Sequence, residues 1–297
     1  MTLPNVNEMF STDAQCRALI KKLRWPKGVA CIRCESQHVW DIDSQDKFEC
    51  ALCGYQFSVI TQTIFHDTHL PLEKWFLATI LLCESRKGMS ANQIKRLLGI
   101  SYKTAWYLCH RIRASMAPRE RGLLDGVVEM DETYVGGKKH GVGKRGRGAE
   151  KEIVIGIRKR GGELRFFKAA DVKSKTLADF IKDNVSQDVD VIVTDNFVGY
   201  PKAMMEAGIH GTRHATVNHS SRVFVDGPIH TNTVESAFSL LKRGIIGTWH
   251  QISAKHLQAY LEEMTFRFDR RNANDLFMDT IRHMATADPL TYEKLTA

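Results

Sequence analysis

Strand-like and helix-like hydrophobic patterns alternate along residues 125–271 and predict an α/β domain. The run at 189–194 is nearly continuous in Val and Ile, as expected for a strand buried on both faces. Ser174 has the residue type that favours the N-cap of the helix before that run. The predicted strands lie at 127–134, 153–159, 164–170, 189–194 and 213–218, and the predicted helices at 174–184, 200–207 and 233–271, the last broken near 244–247.

Three further segments flank this domain. Residues 1–70 contain paired cysteines behind a short helix at 14–23, and residues 71–118 have helical patterns. Residues 272–297 are predicted to be a helical tail, to which the sequence assigns no function. The chain is therefore expected to be a multidomain α/β protein.

The helical segment contains a candidate helix-turn-helix. Ser90 and Gln93 have capping-box spacing at the start of one helix, Gly99 provides the turn, and a second helix runs from about 102 to 116. A helical hairpin that only packs against the next domain remains the alternative. The residues of the second helix predicted to face outward and contact DNA are Tyr102, Lys103, Thr104, Arg111 and Arg113.

Composition and charge narrow the class of protein. The 297 residues include 42 Lys and Arg against 34 Asp and Glu, a formal net charge of +8 that favours a polyanionic partner. The N-terminus lacks a secretory-signal pattern, and no run of about 18 apolar residues predicts a membrane span. We therefore expect an intracellular protein, located in the cytoplasm with the nucleoid.

The cysteines indicate metal rather than disulfides. Cys31 and Cys34 form one CxxC pair, Cys50 and Cys53 form a second, and 15 residues separate the pairs, a spacing typical of a four-cysteine zinc site. Short strands between the pairs are typical of a zinc ribbon, and a closed four-thiolate site is structural. A redox dithiol or unrelated buried cysteines are the alternatives. The remaining cysteines, Cys16, Cys83 and Cys109, are interpreted as small core residues.

Three acidic residues are the candidates for catalysis. Asp131 lies within an apolar strand, and Asp195 lies at the end of the most hydrophobic strand. Charges in buried strands are costly unless they are paired or bind metal. Glu235 lies early in a helix, on one face with Ser239 and Lys242, so a carboxylate and an ammonium point to the same side.

Each acid also has a structural alternative. Glu235 could complete a capping box with Asn232, Asp195 could be a turn residue, and Asp131 could pair with an arginine. Two glutamates are close to Asp131 in sequence. The two-residue period of a strand puts Glu132 on the opposite face, whereas Glu129 shares the face of Asp131 and stays a candidate.

A basic, glycine-rich loop at 136–148 is predicted to lie along DNA, with a solvated hairpin tip as the alternative. It lacks the context of a phosphate-binding P-loop. His214, His219 and His230 lie near Glu235 in sequence, and either a site role or a structural role is open to them. The basic residues of the loop predicted to contact DNA are Lys138, Lys139, Lys144, Arg145 and Arg147.

In these features the chain resembles bacterial insertion-sequence DDE transposases of the ISXO/1595 type, which have an N-terminal zinc ribbon and a ribonuclease H-like (retroviral integrase-like) catalytic domain. The resemblance covers most of the chain. It rests on the cysteine pairs, residues 130–138 (MDETYVGGK), 194–196 (TDN), 230–235 (HTNTVE) with Lys242 and Arg243, and 260–267 (YLEEMTFR) with Arg270 and Arg271.

The resemblance implies that Asp131, Asp195 and Glu235 are the catalytic triad, with Lys242 contacting phosphate and Arg243 contacting DNA. It also implies two Mg²⁺ (or Mn²⁺) ions held by the triad, a structural Zn²⁺, and double-stranded DNA as substrate. An active homo-oligomer, at least a dimer, follows if two transposon ends are cut together. The competing hypotheses are a non-catalytic DNA-binding regulator and a ribonuclease H-like nuclease without strand transfer.

Overall fold

The computed structural model describes residues 1–136, 151–217 and 229–297. They form two compact units, one of residues 1–117 with 272–297 and one of residues 118–271. None of the helices in the described part is long and apolar enough to span a lipid bilayer. The helices are α1 (Leu3–Met9), α2 (Asp13–Arg24), α3 (Leu72–Glu84), α4 (Ala91–Leu98), α5 (Tyr102–Met116), α6 (Ser174–Asn184), α7 (Gly199–Ala207), α8 (Asn232–Gly244), α9 (Leu257–Asp269), α10 (Leu276–Thr286) and α11 (Tyr292–Thr296).

The strands form two sheets, one in each unit. The smaller sheet is antiparallel in the order β1-β2-β3, and the larger sheet has the order β6-β5-β4-β7-β8. In the larger sheet β4, β5 and β6 pair antiparallel, whereas β7 and β8 extend the sheet in parallel with β4. The strands are β1 (Val39–Ile42), β2 (Lys47–Cys50), β3 (Gln56–Phe57), β4 (Val127–Val135), β5 (Glu152–Lys159), β6 (Leu164–Ala169), β7 (Val191–Asp195) and β8 (His214–Val217).

Helices cover both faces of the larger sheet, and apolar residues of its strands pack against them on each side. Even-numbered residues of β4, such as Val128 and Met130, belong to the core cluster that contains α6 and α7. The other face is covered by α8 and α9, whose apolar residues pack on β5 and β6. This layered arrangement and strand order confirm the predicted ribonuclease H-like α/β fold.

The tail at 272–297 contains α10 and α11, and it belongs to the same compact unit as the N-terminal helices. Helix α10 packs against α2, α3 and α5, and Tyr107 donates a hydrogen bond to the carbonyl of Leu290 at 2.6 Å. The hydrophobic pattern predicted a helix in this segment but gave no indication of which helices it would contact.

Helix α5 is more buried than its sequence predicts, and the prediction that Arg111 and Arg113 face outward is wrong. Arg111 is 4% exposed and Arg113 is 1% exposed. The Arg111 guanidinium donates to the carbonyl of His66 at 2.6 Å and lies 4.8 Å from the centre of the Trp75 ring. Burial lowers the pKa of Arg111 from its ordinary value. The side chain is therefore part of the core of this unit.

Candidate active site

The register of β4 and β7 places Asp131 beside Asp195. Glu129 pairs with Val193 in this parallel ladder, and the two aspartates follow these residues by the same two positions. Side chains two residues apart in a strand share one face. Asp131 pairs on its other side with Gly156 of β5. Both aspartates therefore lie on the sheet face that α8 covers.

Gly156 lets α8 approach that face closely. A Cβ atom added to Gly156 would lie 2.7 Å from the Phe238 ring and 2.9 Å from the Phe166 ring. These two rings stack with their centroids 5.2 Å apart. Phe238 is one helical turn after Glu235, so the missing side chain at Gly156 brings the third acid toward Asp131.

The charges of neighbouring acids act on Asp131. Burial, followed by the charge of Glu132, raises the pKa of Asp131 to about 7, although the backbone N–H of Glu132 donates to its carboxylate. Asp195 and Glu235 raise this pKa further. The charges that shift Asp131 are thus carboxylates and not that of an arginine, which was the structural alternative. A cluster of this kind favours either a bound proton or a bound cation.

Local contacts orient the other two acids. Asp195 accepts a hydrogen bond from the backbone N–H of Phe197 at 3.0 Å, and Glu235 accepts one from the Thr231 hydroxyl at 2.7 Å. Thr231 is the N-cap residue of α8, so Asn232 lies inside the helix and cannot be the start of the capping box that the sequence allows. Lys242, two turns after Glu235, is exposed, as is Arg243.

The two nearby glutamates have separate surroundings. Glu132 accepts a hydrogen bond from the Tyr200 hydroxyl at 2.8 Å, on the face covered by α7. Glu129 is completely buried and pairs with Arg160, whose Nε lies 2.7 Å from its carboxylate. Neither Tyr200 nor Arg160 is identified by sequence patterns, because their partners are distant along the chain.

The described histidines near Glu235 in sequence have different partners. The Nε2 atom of His214 lies 2.9 Å from the Thr194 hydroxyl, and burial lowers the pKa of this imidazole. His230 has its Nδ1 atom 3.3 Å from the Glu129 carboxylate. His219 lies outside the described residues.

We expect Gly156→Ala to lower the free energy of unfolding by about 1–3 kcal/mol, because the methyl group would overpack the rings of Phe166 and Phe238. Chemical denaturation would measure the loss. Gly211→Ala is the control, since a Cβ at Gly211 meets no atom within 4 Å. If the Gly156→Ala protein were as stable as the control, the close approach of α8 to the sheet would not depend on the missing side chain at residue 156.

The four paired cysteines form a second candidate site, in the other unit. The Sγ atoms of Cys31, Cys34, Cys50 and Cys53 all lie within 4.8 Å of one another. Distances of 3.6 Å join Cys31 to Cys53 and Cys34 to both Cys50 and Cys53. Thiolates at about 2.3 Å from a tetrahedral Zn²⁺ lie roughly 3.8 Å apart, so the four cysteines fit a structural zinc ion.

Without the buried Arg111 and Arg113, the remaining candidate DNA-binding residues of α5 lie in its first turn. Tyr102 is 49% exposed, and the exposed Lys103 places its ammonium 4.6 Å from the centre of the Tyr292 ring. Thr104 donates its backbone N–H to the Ser101 hydroxyl at 3.1 Å, which caps the helix. The five basic residues predicted in the loop, Lys138, Lys139, Lys144, Arg145 and Arg147, lie outside the described residues.

Comparison with known proteins gives two family matches. Residues 123–269 match the ISXO2-like transposase domain, and residues 11–56 match the transposase zinc-ribbon domain. An uncharacterized protein in transposable element ISH50 of Halobacterium salinarum is 29% identical over 276 residues, which cover 87% of this chain and 91% of that protein.

Two solved structures of low similarity were also found. The chain is 9% identical to one in the crystal structure of the Mos1 strand transfer complex, with a TM-score of 0.32 and coverage of 67% of this chain and 71% of that chain. For a pre-cleavage Mos1 transpososome the identity is 10%, the TM-score 0.26, and the coverage 67% and 72%.

The two family matches fall on the segments that contain the cysteine cluster and the three carboxylates, and together they cover most of the chain. The match to the ISH50 relative covers nearly the whole length of that protein and most of this chain. The chain therefore belongs to the IS1595-type DDE transposases, and it is a DNA transposase with an N-terminal zinc ribbon.

Proposed function

We propose that Asp131, Asp195 and Glu235 are the catalytic triad and that they hold two Mg²⁺ ions, for which Mn²⁺ can substitute. The observation that carries this proposal is that the register of β4 and β7 and the close approach of α8 bring the three carboxylates to one face of the sheet, where burial and neighbouring charges also raise the pKa of Asp131. Hard divalent cations prefer oxygen ligands, and their charge would relieve this repulsion.

The three acids come from three different elements, so their carboxylates can be ligands of more than one ion. Asp131 lies in β4, Asp195 ends β7 and Glu235 lies in the first turn of α8. Two catalytic ions lie about 3.5–4 Å apart, so their ligands are spread around both rather than gathered around one centre.

Each acid has a distinct role in this proposal. When bound, the two ions activate the attacking oxygen and stabilise the leaving oxygen of the phosphodiester. Asp131 and Asp195 would hold their ligand positions from adjacent strands, and Glu235 would complete the site from α8. Lys242 would bind a phosphate beyond Glu235, because both residues lie on one helix face.

The reaction has two steps in the same site. Water first cleaves the DNA at the transposon end and releases a 3′-OH. That 3′-OH then attacks a phosphodiester of the target DNA. The new bond joins the transposon end to the target phosphorus, and the 3′-oxygen of the target strand leaves as a 3′-OH. In both steps the phosphodiester is attacked by an oxygen nucleophile, so one set of carboxylates serves both.

Double-stranded DNA would contact the basic surfaces of both units. In the first turn of α5 we propose Tyr102, Lys103 and Thr104 as contacts, since recognition helices contact base edges with their N-terminal residues. Arg243 of α8 would contact the DNA backbone. The basic loop residues Lys138, Lys139, Lys144, Arg145 and Arg147 would add phosphate contacts and make binding depend on salt. Cutting two transposon ends together requires a homo-oligomer, at least a dimer.

The test is to incubate the purified chain with labelled DNA carrying its cognate transposon ends, in Mg²⁺, in Mn²⁺ or in EDTA. We expect cleaved 3′ ends and products joined to target DNA with either metal, and neither with EDTA. Cleaved DNA that is never joined would identify a nuclease instead. Specific binding without cleavage in either metal would identify a DNA-binding regulator.

A further inference from the structure

The first turn of α8 is capped by a residue far away in sequence. Thr231 occupies the N-cap position, but its side chain makes no capping hydrogen bond. The backbone N–H groups of Thr233 and Val234 donate to Glu129 Oε2 at 2.9 and 3.1 Å. A carboxylate at this end of a helix both satisfies amide donors and complements the helix dipole.

Two arginines of β5 and its following turn complete this attachment. Arg160 donates from Nε to Glu129 Oε1 at 2.7 Å and from a terminal nitrogen to the carbonyl of His230 at 2.8 Å. Arg158, which pairs with Glu129 across β4 and β5, donates to the carbonyl of Thr233 at 2.5 Å. The sheet thus binds the start of α8 through a negatively charged acceptor, Glu129, and two positively charged donors, Arg158 and Arg160.

We propose that Glu129 is a positioning residue that fixes Glu235 relative to Asp131. This inference rests on the proposed catalytic role of the triad. Glu129 lies two residues before Asp131 on the same face of β4, and the amides it binds immediately precede Glu235. A single buried side chain therefore connects the strand that carries the first acid to the helix that carries the third.

Glu129 is not a metal ligand in this arrangement. Its side chain is completely buried, and each carboxylate oxygen already accepts a hydrogen bond, Oε1 from Arg160 and Oε2 from two backbone amides. A carboxylate used in this way has its charge balanced by Arg160 and by the positive end of the helix. Glu129 was a candidate ligand because it shares a strand face with Asp131. On that face it binds the start of α8 instead.

The test uses Glu129→Gln in the full-length chain. The glutamine amide would put N–H donors against the donors of α8 or Arg160, so the first turn of the helix should loosen. Hydrogen exchange in metal-free protein would report on residues 231–244, and titration with Mn²⁺ followed by electron paramagnetic resonance would give the affinity of the triad. Asp195→Ala defines how much Mn²⁺ binding belongs to the triad.

The matched control is Glu263→Gln. Glu263 is also completely buried, and its carboxylate lies 3.1 Å from the guanidinium of Arg267. Both residues lie in α9 and not in α8. Comparing the two variants at equal loss of stability separates positioning from a general effect of removing a buried charge.

We expect Glu129→Gln to exchange faster at the start of α8 and to bind Mn²⁺ about tenfold more weakly, as for other residues that orient metal ligands. Glu263→Gln should show neither change. Unchanged exchange at α8, or the same Mn²⁺ affinity in both glutamine variants, would overturn the inference while Asp195-dependent binding remained. Wild-type protein with no Asp195-dependent Mn²⁺ binding would instead overturn the proposed triad.

Discussion

Asp195→Asn is expected to reduce both DNA cleavage and strand transfer by at least about a thousandfold. The substitution keeps an oxygen that can accept from the Phe197 backbone N–H but removes the charge next to Asp131. Charge stabilisation by catalytic metal ions contributes several kcal/mol to the transition state, and each 1.36 kcal/mol is tenfold in rate. Gel assays of both products with cognate ends would measure the loss.

The same variant should not be less stable than the wild type in metal-free buffer. The Asp195 charge raises the pKa of Asp131, which means that the folded protein is destabilised by repulsion when both groups are ionised. Removing one charge relieves that repulsion, so thermal unfolding should occur at an equal or higher temperature near neutral pH. This result would exclude misfolding as the cause of the lost activity.

Asp190→Asn is the control, at the residue just before the same strand. Asp190 is exposed and immediately precedes β7, whereas Asp195 is the last residue of that strand. The control should keep both activities near the wild-type level. Equal activities of the two asparagine variants would mean that the carboxylate at the end of β7 does not take part in the reaction.

Removal of zinc is expected to destabilise the N-terminal zinc ribbon strongly. The three strands of its sheet contain four, four and two residues, and among these residues only Phe48, Cys50 and Phe57 are buried, so the core of the sheet is small. Structural zinc sites contribute about 10–16 kcal/mol of apparent binding free energy. Cys34→Ser should therefore lose zinc, and hydrogen exchange should show rapid exchange of the amides in β1, β2 and β3.

Metal analysis of the purified protein provides the quantitative check, with an expected value of one zinc per chain for the wild type. Cys109→Ala is the control, because Cys109 is a buried residue of α5 outside the cysteine cluster. It should keep its zinc whatever its effect on stability. Retention of zinc and of slow exchange in Cys34→Ser would contradict a site built from these four thiolates.

The cysteine cluster and the proposed catalytic site are assembled in different ways. The cysteine cluster is assembled by two short turns, so residues close in sequence supply each pair of ligands. The proposed catalytic site takes one acid from β4, one from β7 and one from α8, and it exists only after the sheet and helix have packed. For this reason substitutions that never touch metal, such as Gly156→Ala and Glu129→Gln, are expected to affect it.

Local patterns in the sequence were sufficient for much of the fold. The helix predicted at 174–184 has the observed bounds of α6, although its N-cap is Lys173 and not Ser174, and the predicted strands and the helix at 200–207 match the observed ones to within two residues. The long helical region at 233–271 was predicted less well, because a π-helix at Ile245–Trp249 follows α8 where the break was expected and α9 begins only at Leu257. The spacing of the two cysteine pairs predicted the four-cysteine cluster. The two-residue strand period correctly put Glu132 on the face opposite Asp131. These features depend on residues that are neighbours in the chain.

Only the tertiary structure decided what the buried polar residues do. Glu129 and Asp131 lie on the same strand face, yet Arg160 and the first amides of α8 donate hydrogen bonds to Glu129, whereas the charges of neighbouring carboxylates act on Asp131. Arg111 has the sequence spacing of an outward residue but lies beneath Trp75 and the carbonyl of His66. The hydrogen-bonding partners in both cases are 31 to 105 residues away, and no local pattern encodes which of them will meet. Burial and pairing of a charge are set by such distant contacts, whereas backbone periodicity is set by adjacent ones.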